Sequence, residues 1–329
     1  MKVRRRDLLH LGVGAAAMIV VPRFAAAQDY PARPIRLVIP FAPGGPFDLI
    51  ARPWADKMKA LLGATVVIEN QGGAGGRLAA TTTARAPADG YTLLLGGIGH
   101  LGLYRVTTNR PMEDVIRSLT PITIVAVTSS AVAIHPSVRA TTLKELAIYA
   151  RNNPGKLSFG HSGVGTTNHL AGELFKVFAD APDVQQVPYR GQGPAIADAL
   201  SGQLPMVAAG MSAQLVELHR SGKLRILAVA SPERLVGAPD IPSAIEAGAP
   251  GLIVQNYVTL MAPAGTPKAI VDRLAEATRS ALADQNLQQQ LIAGGLEPPR
   301  DSSPDAARRW AEREIARLTP LINALGLKE

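Results

Sequence analysis

Short apolar runs alternate with segments of helical periodicity along most of the chain, and this order constrains the fold more than any other feature. The runs are Ile35–Phe41, Thr65–Glu69, Tyr91–Leu95, Ile122–Val127, Val132–His135, Leu157–Gly160, Gln186–Tyr189, Met206–Ala209, Arg225–Ala230 and Tyr257–Ala262. Near-continuous apolar strands of this length read as parallel and buried on both faces. Leu143–Arg151, His169–Ala179, Ala195–Ser201 and Ala213–Ser221 carry amphipathic helical spacing. A βαβα order of this kind builds an α/β architecture with helices flanking a sheet.

The head of the chain stands apart from that argument. Lys2, Arg4, Arg5 and Arg6 precede a weakly apolar run, Leu8–Val21. That run is shorter than the ~20 residues a membrane-spanning helix needs. Ala25-Ala26-Ala27 is a small-residue cleavage site, so residues 1–27 read as an export signal and Gln28 as the mature start. Arg5-Arg6-Asp7-Leu8-Leu9 fits the twin-arginine form of that signal, with an ordinary basic-headed secretory signal as the alternative. The remainder amounts to about two domains at ~150 residues each. No low-complexity linker separates them, so the chain is expected to form two lobes joined by crossing strands, near Val127–Ala131 and around Ile241–Tyr257. The expected boundaries are 28–127 with 245–329 for one lobe and 128–244 for the other.

Composition removes several function classes. There is no Cys, and the six His form no HExxH or other helix-spaced pair, so neither a disulfide scaffold nor a metal site is expected. A hydrophobic share of 47% excludes a disordered chain. The net charge is +8, but much of the excess sits in the basic head. Beyond it Arg308-Arg309 is the only adjacent basic pair, so no nucleic-acid-binding face is expected.

Two glycine-bearing loops carry the candidate chemistry. Pro40-Phe41-Ala42-Pro43-Gly44-Gly45-Pro46-Phe47-Asp48 joins a strand to a helix. Glycines there let backbone N–H groups approach a ligand, and a helix N-terminus favours an anion. The plain alternative is a βα turn with Asp48 as helix cap. Pro53 is expected to kink that helix or delay its regular part. His161-Ser162-Gly163-Val164-Gly165-Thr166-Thr167-Asn168-His169 is the second loop, again an anion nest before a helix. Thr167 or Asn168 as a simple cap is its structural alternative, and His169 alone reads as structural.

Other motifs carry less. Gly97-Ile98-Gly99-His100-Leu101-Gly102 matches G-x-G-x-x-G, but it does not open the first βα unit and little helical pattern follows. Gly160-His161-Ser162-Gly163-Val164 misses the G-x-S-x-G nucleophile elbow by one position. No carboxylate pair stands out, so binding is expected ahead of catalysis. Towards the C-terminus, Thr266-Pro267 and Ser303-Pro304-Asp305 are helix starts. Trp310, Ile315, Leu318, Ile322 and Leu325 form the last apolar stripe, which Pro320 is expected to kink.

Many short segments, in order, resemble the substrate-binding receptors of tripartite tricarboxylate transporters, the Bordetella uptake gene family. They include Tyr30-Pro31-Ala32-Arg33-Pro34-Ile35-Arg36, the Pro43-Gly44-Gly45-x-x-Asp48 loop, Val67-Ile68-Glu69-Asn70 and Ala88-Asp89-Gly90-Tyr91-Thr92-Leu93. Ser162-Gly163-x-Gly165-Thr166-x-x-His169-Leu170, Val187-Pro188-Tyr189-Arg190-Gly191 and Ala262-Pro263-Ala264-Gly265-Thr266-Pro267 continue the match. The resemblance implies a two-lobed periplasmic-binding-protein fold of type II-like form. It would have mainly parallel sheets, flanking helices and a ligand cleft between lobes. It implies a monomeric periplasmic receptor without cofactor or catalysis, which closes on a small carboxylate and delivers it to membrane transporter subunits. The ligand would be held by Phe41, Gly44, Gly45 and Asp48 from one lobe. Ser162, Gly165, Thr166, Thr167 and His169 would hold it from the other, with Tyr189 and Gly191 nearby.

Some positions depart from the family pattern. Pro46-Phe47 replaces small residues, Gly202-Gln203-Leu204-Pro205 carries Pro for an acid, Ala209-Gly210-Met211-Ser212 has few polar groups, and Tyr257 replaces a common Trp. An exported α/β enzyme acting on a small anion is the alternative reading, and a receptor for a signalling partner is a third. A direct ion pair from Arg52 or Arg190 is the alternative to neutral donors at the ligand.

Overall fold

A computed structural model describes residues 30–41, 43, 45–73, 76–97 and 117–324 of the protein. The expected export signal, Gly44 and the Gly97–Gly102 motif beyond Gly97 lie outside the described residues. Along the chain the elements are β1 Ile35–Ile39, α1 Pro46–Leu62, β2 Val66–Asn70, α2 Arg77–Ala84, β3 Thr92–Gly97 and β4 Leu119–Ile134. Then come α3 Leu143–Asn152, β5 Ser158–His161, α4 Thr167–Ala179, β6 Gln185–Pro188, α5 Gln192–Leu200, β7 Met206–Gly210, α6 Ala213–Arg220 and β8 Arg225–Val229. β9 Gln255–Pro263, α7 Lys268–Leu282, α8 Gln285–Ala293 and α9 Pro304–Ala324 complete the fold.

The strands pair in the order β2-β1-β3-β9-β4-β7-β5-β6, with β8 also on β4. Short strands that feed crossover helices are parallel, as their apolar sequences require: β1 with β2 and β3, and β5 with β6 and β7. β9 and β4 run antiparallel to their neighbours, so the sheet is mixed. β4 ties the two halves together. Leu119–Ser129 pairs with β9, whereas Ser130–Ile134 pairs with β7 and, from Ala131, with β8 as well. Its length corrects the sequence reading, which split it into Ile122–Val127 and Val132–His135. The intervening Thr128, Ser129 and Ser130 are polar, but their backbone groups continue the ladder, so the strand does not break.

Each half of the sheet is buried on both faces. In the first half, Leu37, Ile39, Trp54, Met58, Val258 and Leu274 pack on the α1 and α7 side. Val38, Leu94, Met261 and Trp310 pack on the other. The second half alternates likewise: Val132 and Ile134 face Phe159, Leu170 and Phe175, while Ala131 and Ala133 face Ile196, Val207 and Leu215. The period of two along β4 therefore separates two cores.

Two helix expectations need correcting. α1 runs from Pro46 through Pro53 to Leu62 with no delayed start. Pro53 lacks only the bond to the carbonyl of Leu49, an exposed residue whose backbone water can satisfy. Thr266 does not cap α7: its hydroxyl donates to the Pro263 carbonyl at 2.7 Å, and Pro267 precedes the helix without a side-chain cap. Ser303 does cap, accepting from the Ala306 N–H at 3.1 Å. The last helix continues through Pro320 to Ala324. Trp310 stacks on Tyr257 at 4.2 Å between ring centroids.

Candidate ligand-binding site

The first loop delivers its backbone to the start of α1. Gly45 is the extended residue before the helix, and Pro46 takes the first helical position, so no side chain caps this end. Asp48 is not the cap considered above. It is buried, and its carboxylate accepts two hydrogen bonds from Arg52 one turn later, at 2.9 and 3.1 Å. Asn70, at the end of β2, donates to Asp48 at 3.4 Å and to the Phe41 carbonyl at 2.9 Å. Asn70 thereby braces the loop against the neighbouring strand. The Phe41 and Phe47 rings lie 5.0 Å apart, giving this side of the opening an aromatic wall.

The second loop is held by its own hydroxyls. Thr166 precedes α4, and its oxygen accepts from the His169 N–H at 3.3 Å. This is the cap; Thr167 and Asn168 lie one and two residues inside the helix. The Thr166 hydroxyl donates to the Gly163 carbonyl at 2.7 Å and receives the Ser162 hydroxyl at 3.2 Å. Gly163 and Gly165 take φ of 126° and 74°, values L side chains rarely adopt. Among the described residues no backbone partner is seen for the N–H groups of Thr167 and Asn168. They are the donors that a helix start offers to an anion.

Below this loop two imidazoles stack at 4.6 Å. His161 Nδ1 accepts the Gly163 N–H at 3.2 Å, and its Nε2 meets Gln186 Oε1 at 2.6 Å. These partners place the proton on Nε2. His169 Nδ1 accepts the Gly165 N–H at 3.4 Å. Burial, then the neighbouring His161 and Lys176, push the His169 imidazole down to about 4. Burial also lowers His161. The pair is therefore neutral near pH 7 and supports the loop from beneath.

Tyr189 and Gly191 adjoin this loop: a Cβ on Gly163 would lie 3.6 Å from the Tyr189 carbonyl. The Tyr189 hydroxyl donates to Asp198 at 2.6 Å, which pushes its own ionisation up to about 12. Gly191 precedes α5 with φ 113° and open space around its missing Cβ. Gln192 pins the end of β7, its Oε1 taking the Gly210 N–H at 3.0 Å and its Nε2 reaching the Gly210 carbonyl at 3.4 Å. Thus the structure brings Ser162, Gly165, Thr166, Thr167, His169, Tyr189 and Gly191 into one cluster. Phe41, Gly45 and Asp48 form a second cluster on the other half of the sheet.

The sequence gives Asn70, Gln192 and the hydroxyls of β4 no role at the site, and Asn168 only that of a candidate cap. Ser130 Oγ donates to Asn168 Oδ1 at 3.0 Å, and Asn168 Nδ2 donates to Ser162 Oγ at 3.0 Å. The signal was present: Thr128-Ser129-Ser130 interrupts an otherwise apolar stretch from Ile124 to Ile134. Among the described residues no three His, Asp or Glu come together to hold a metal, and no helix is long and apolar enough to cross a membrane. An open groove of about 400 Å³ runs along α1 and β2, lined by Arg52, Ala55, Asp56, Val66 and Ile68. It shares only Arg52 with the loops described here.

The profile of the tripartite tricarboxylate transporter family receptor matches residues 50–327. The chain belongs to that family. A UPF0065 protein of Bordetella pertussis is 34% identical to this receptor over 96% of the present chain and 97% of its own. Rpa4515 of R. palustris, solved with adipate, superposes with a TM-score of 0.84 at 32% identity, covering 91% of this chain and 99% of that one. MatC of Rhodopseudomonas palustris, solved with bound malate, gives 0.80 at 31% identity, covering 89% and 100%. The periplasmic binding protein BugD also superposes, with a TM-score of 0.83 at 32% identity over 91% of this chain and 100% of that one, so the receptor has the periplasmic-binding-protein fold expected from its sequence.

Proposed function

We propose that the receptor captures a small carboxylate in the periplasm, between two lobes, and passes it to the membrane subunits of a transporter. One observation carries this reading. The starts of α1 and α4 belong to opposite halves of one sheet, and the strand joining those halves turns polar between two apolar cores. Solutes held by related receptors, malate and adipate, have the chemistry such helix starts favour.

In this reading residues 28–127 and 245–329 form one lobe and 128–244 the other, with closure about β4 and the segment entering β9. Gly44, Gly45, Thr167 and Gly191 contribute backbone donors, Ser162 contributes its hydroxyl, and Phe41 walls the opening. Asp48, Thr166, His169 and Tyr189 shape the site through the bonds described above. Arg52 is held by Asp48, and in this reading neutral donors carry the anion, with a direct ion pair from Arg190 as the alternative. Export through a signal ending at Ala27, by the twin-arginine route, and a monomeric state belong to the same proposal.

A thermal-shift screen against mono-, di- and tricarboxylates tests it. A ligand that binds only the folded chain adds ~2.7 kcal/mol of stability at a hundredfold excess over Kd. A carboxylate that raises Tm and is retained in native mass spectrometry supports the proposal. A bound nucleotide or metal ion, with no response to any acid, refutes it.

A further inference from the structure

Along β4 one face changes character for two residues only. Ala126 packs in the core beneath α1 and Val132 in the core beneath α4. Thr128 and Ser130 share their parity, so all four lie on that face. Thr128 is the cross-strand partner of Asn256 in β9, which puts those two side chains side by side. The Asn256 amide fills the space over Gly97, where a Cβ would collide with it. A row of uncharged groups therefore runs from Gly97 through Asn256, Thr128, Ser130 and Asn168 to Ser162. It links the two halves of the sheet on the side where α1 and α4 begin.

Most of the polar atoms in the second half of this row are already used. Ser130, Asn168 and Ser162 bond one another in sequence, and Gln192 is spent on both backbone groups of Gly210. Thr128 differs. Its residue is 8% exposed, and its Oγ1 is buried with no hydrogen-bond partner among the described residues. Gly210 adjoins it on β7: a Cβ there would stand 3.9 Å from Thr128 Oγ1, 4.0 Å from Asn168 Oδ1 and 3.1 Å from Gln192 Oε1, so only a glycine lets these three polar atoms come together. A buried hydroxyl without a partner is costly, and the cost is relieved when an incoming oxygen completes the bond. None of the residues in the row is ionisable. A second carboxylate there would lose hydration without a countercharge, whereas a neutral oxygen would not.

We propose that Thr128 is a specificity-determining residue that contacts a hydroxyl or keto oxygen on the bound acid. The proposal rests on the carboxylate-receptor reading and deepens it: the substrate class becomes oxygen-substituted carboxylates, favoured over their unsubstituted analogues. The carboxylate sits at the loop before α4 and the substituent reaches the floor at Thr128.

Titration calorimetry with chain-matched acids tests this: malate, oxaloacetate and succinate; 2-hydroxyglutarate and glutarate; lactate and propionate. The native receptor is expected to bind the oxygen-substituted member of at least one set about tenfold more tightly. Thr128→Val, which keeps the branched shape but removes the hydroxyl, levels that preference and leaves the unsubstituted acid within about twofold. Thr128→Ser retains the preference. Circular dichroism and Tm establish that the variants are folded, and Thr128→Ala takes the place of Val if Val is not. Equal binding of the paired acids by the native receptor overturns the role of Thr128, as does a preference that survives in Thr128→Val. Either result leaves the carboxylate reading standing. Failure of every acid to bind the native receptor overturns both.

Discussion

Thr166→Ala separates a hydroxyl that builds the site from one that touches ligand. Thr166 is 1% exposed, and its oxygen has three internal partners: the His169 N–H, the Gly163 carbonyl and the Ser162 hydroxyl. Losing a helix cap costs ~1 kcal/mol. Each of the other two bonds contributes ~0.5–1.5 kcal/mol. The three are coupled through one atom, so the expected loss is ~2–3 kcal/mol, below the simple total. Thr166→Val removes the same bonds but keeps the methyl group, so it should be destabilised by ~0.8 kcal/mol less than Ala. Thr166→Ser keeps all three bonds and forfeits only a methyl group, ~0.8 kcal/mol. Urea denaturation reads these differences as shifts in midpoint at constant slope. Affinity for a carboxylate should fall in Ala and Val because the start of α4 frays and the Thr167 and Asn168 N–H groups lose their aim. Serine should restore it along with stability. A Thr166→Ala protein within ~0.5 kcal/mol of native stability that nonetheless loses tenfold or more in affinity would refute this reasoning. That pattern would mean that the hydroxyl leaves its internal partners for the ligand.

Two further outcomes follow from the geometry. The folded His169 imidazole titrates at about 4, below its ordinary 6.5, so the unfolded chain takes up this proton first as pH falls. Its contribution to stability, ~3 kcal/mol, is complete above pH 6.5 and is lost progressively down to about 4, with His161 acting in the same direction. Urea midpoints should decline from pH 6.5 to 4.5, less steeply in His169→Asn; identical slopes in the two proteins would contradict the buried neutral pair. Ligand should also draw the lobes together, so small-angle scattering should give a smaller radius of gyration at saturation. An unchanged radius would place the whole site within one lobe or show that the free receptor is already closed.

Much of the fold was legible because its signals are local. Periodicity located α3, α4, α5 and α6, and β-branched apolar runs located the strands, since both depend on residues a few positions apart. The two loops were legible for the same reason: Gly44-Gly45 and Gly163-Val164-Gly165 stand between a strand and a helix. β4 was read as two strands because a hydroxyl triplet resembles a break. Its continuity comes from partners more than a hundred residues away, Gln255 and Asn256 in β9. The brace of Asp48 by Arg52 and Asn70 escaped notice because Asn70 reaches the loop only through the pairing of β1 with β2.

The sequence by itself determined an α/β chain with two glycine loops at helix starts, because backbone preference and hydrophobic period are written residue by residue. Only the tertiary structure decided which polar groups are spent and which remain. Thr166 and Thr128 are the same residue type, both buried. Thr166 spends its hydroxyl on its own loop, and Thr128 finds no partner in the strands and helices packed around it. That difference depends on where Gly163, His169, Asn256 and Gly210 stand in space, because a hydrogen bond is fixed by distance and angle, not by residue type.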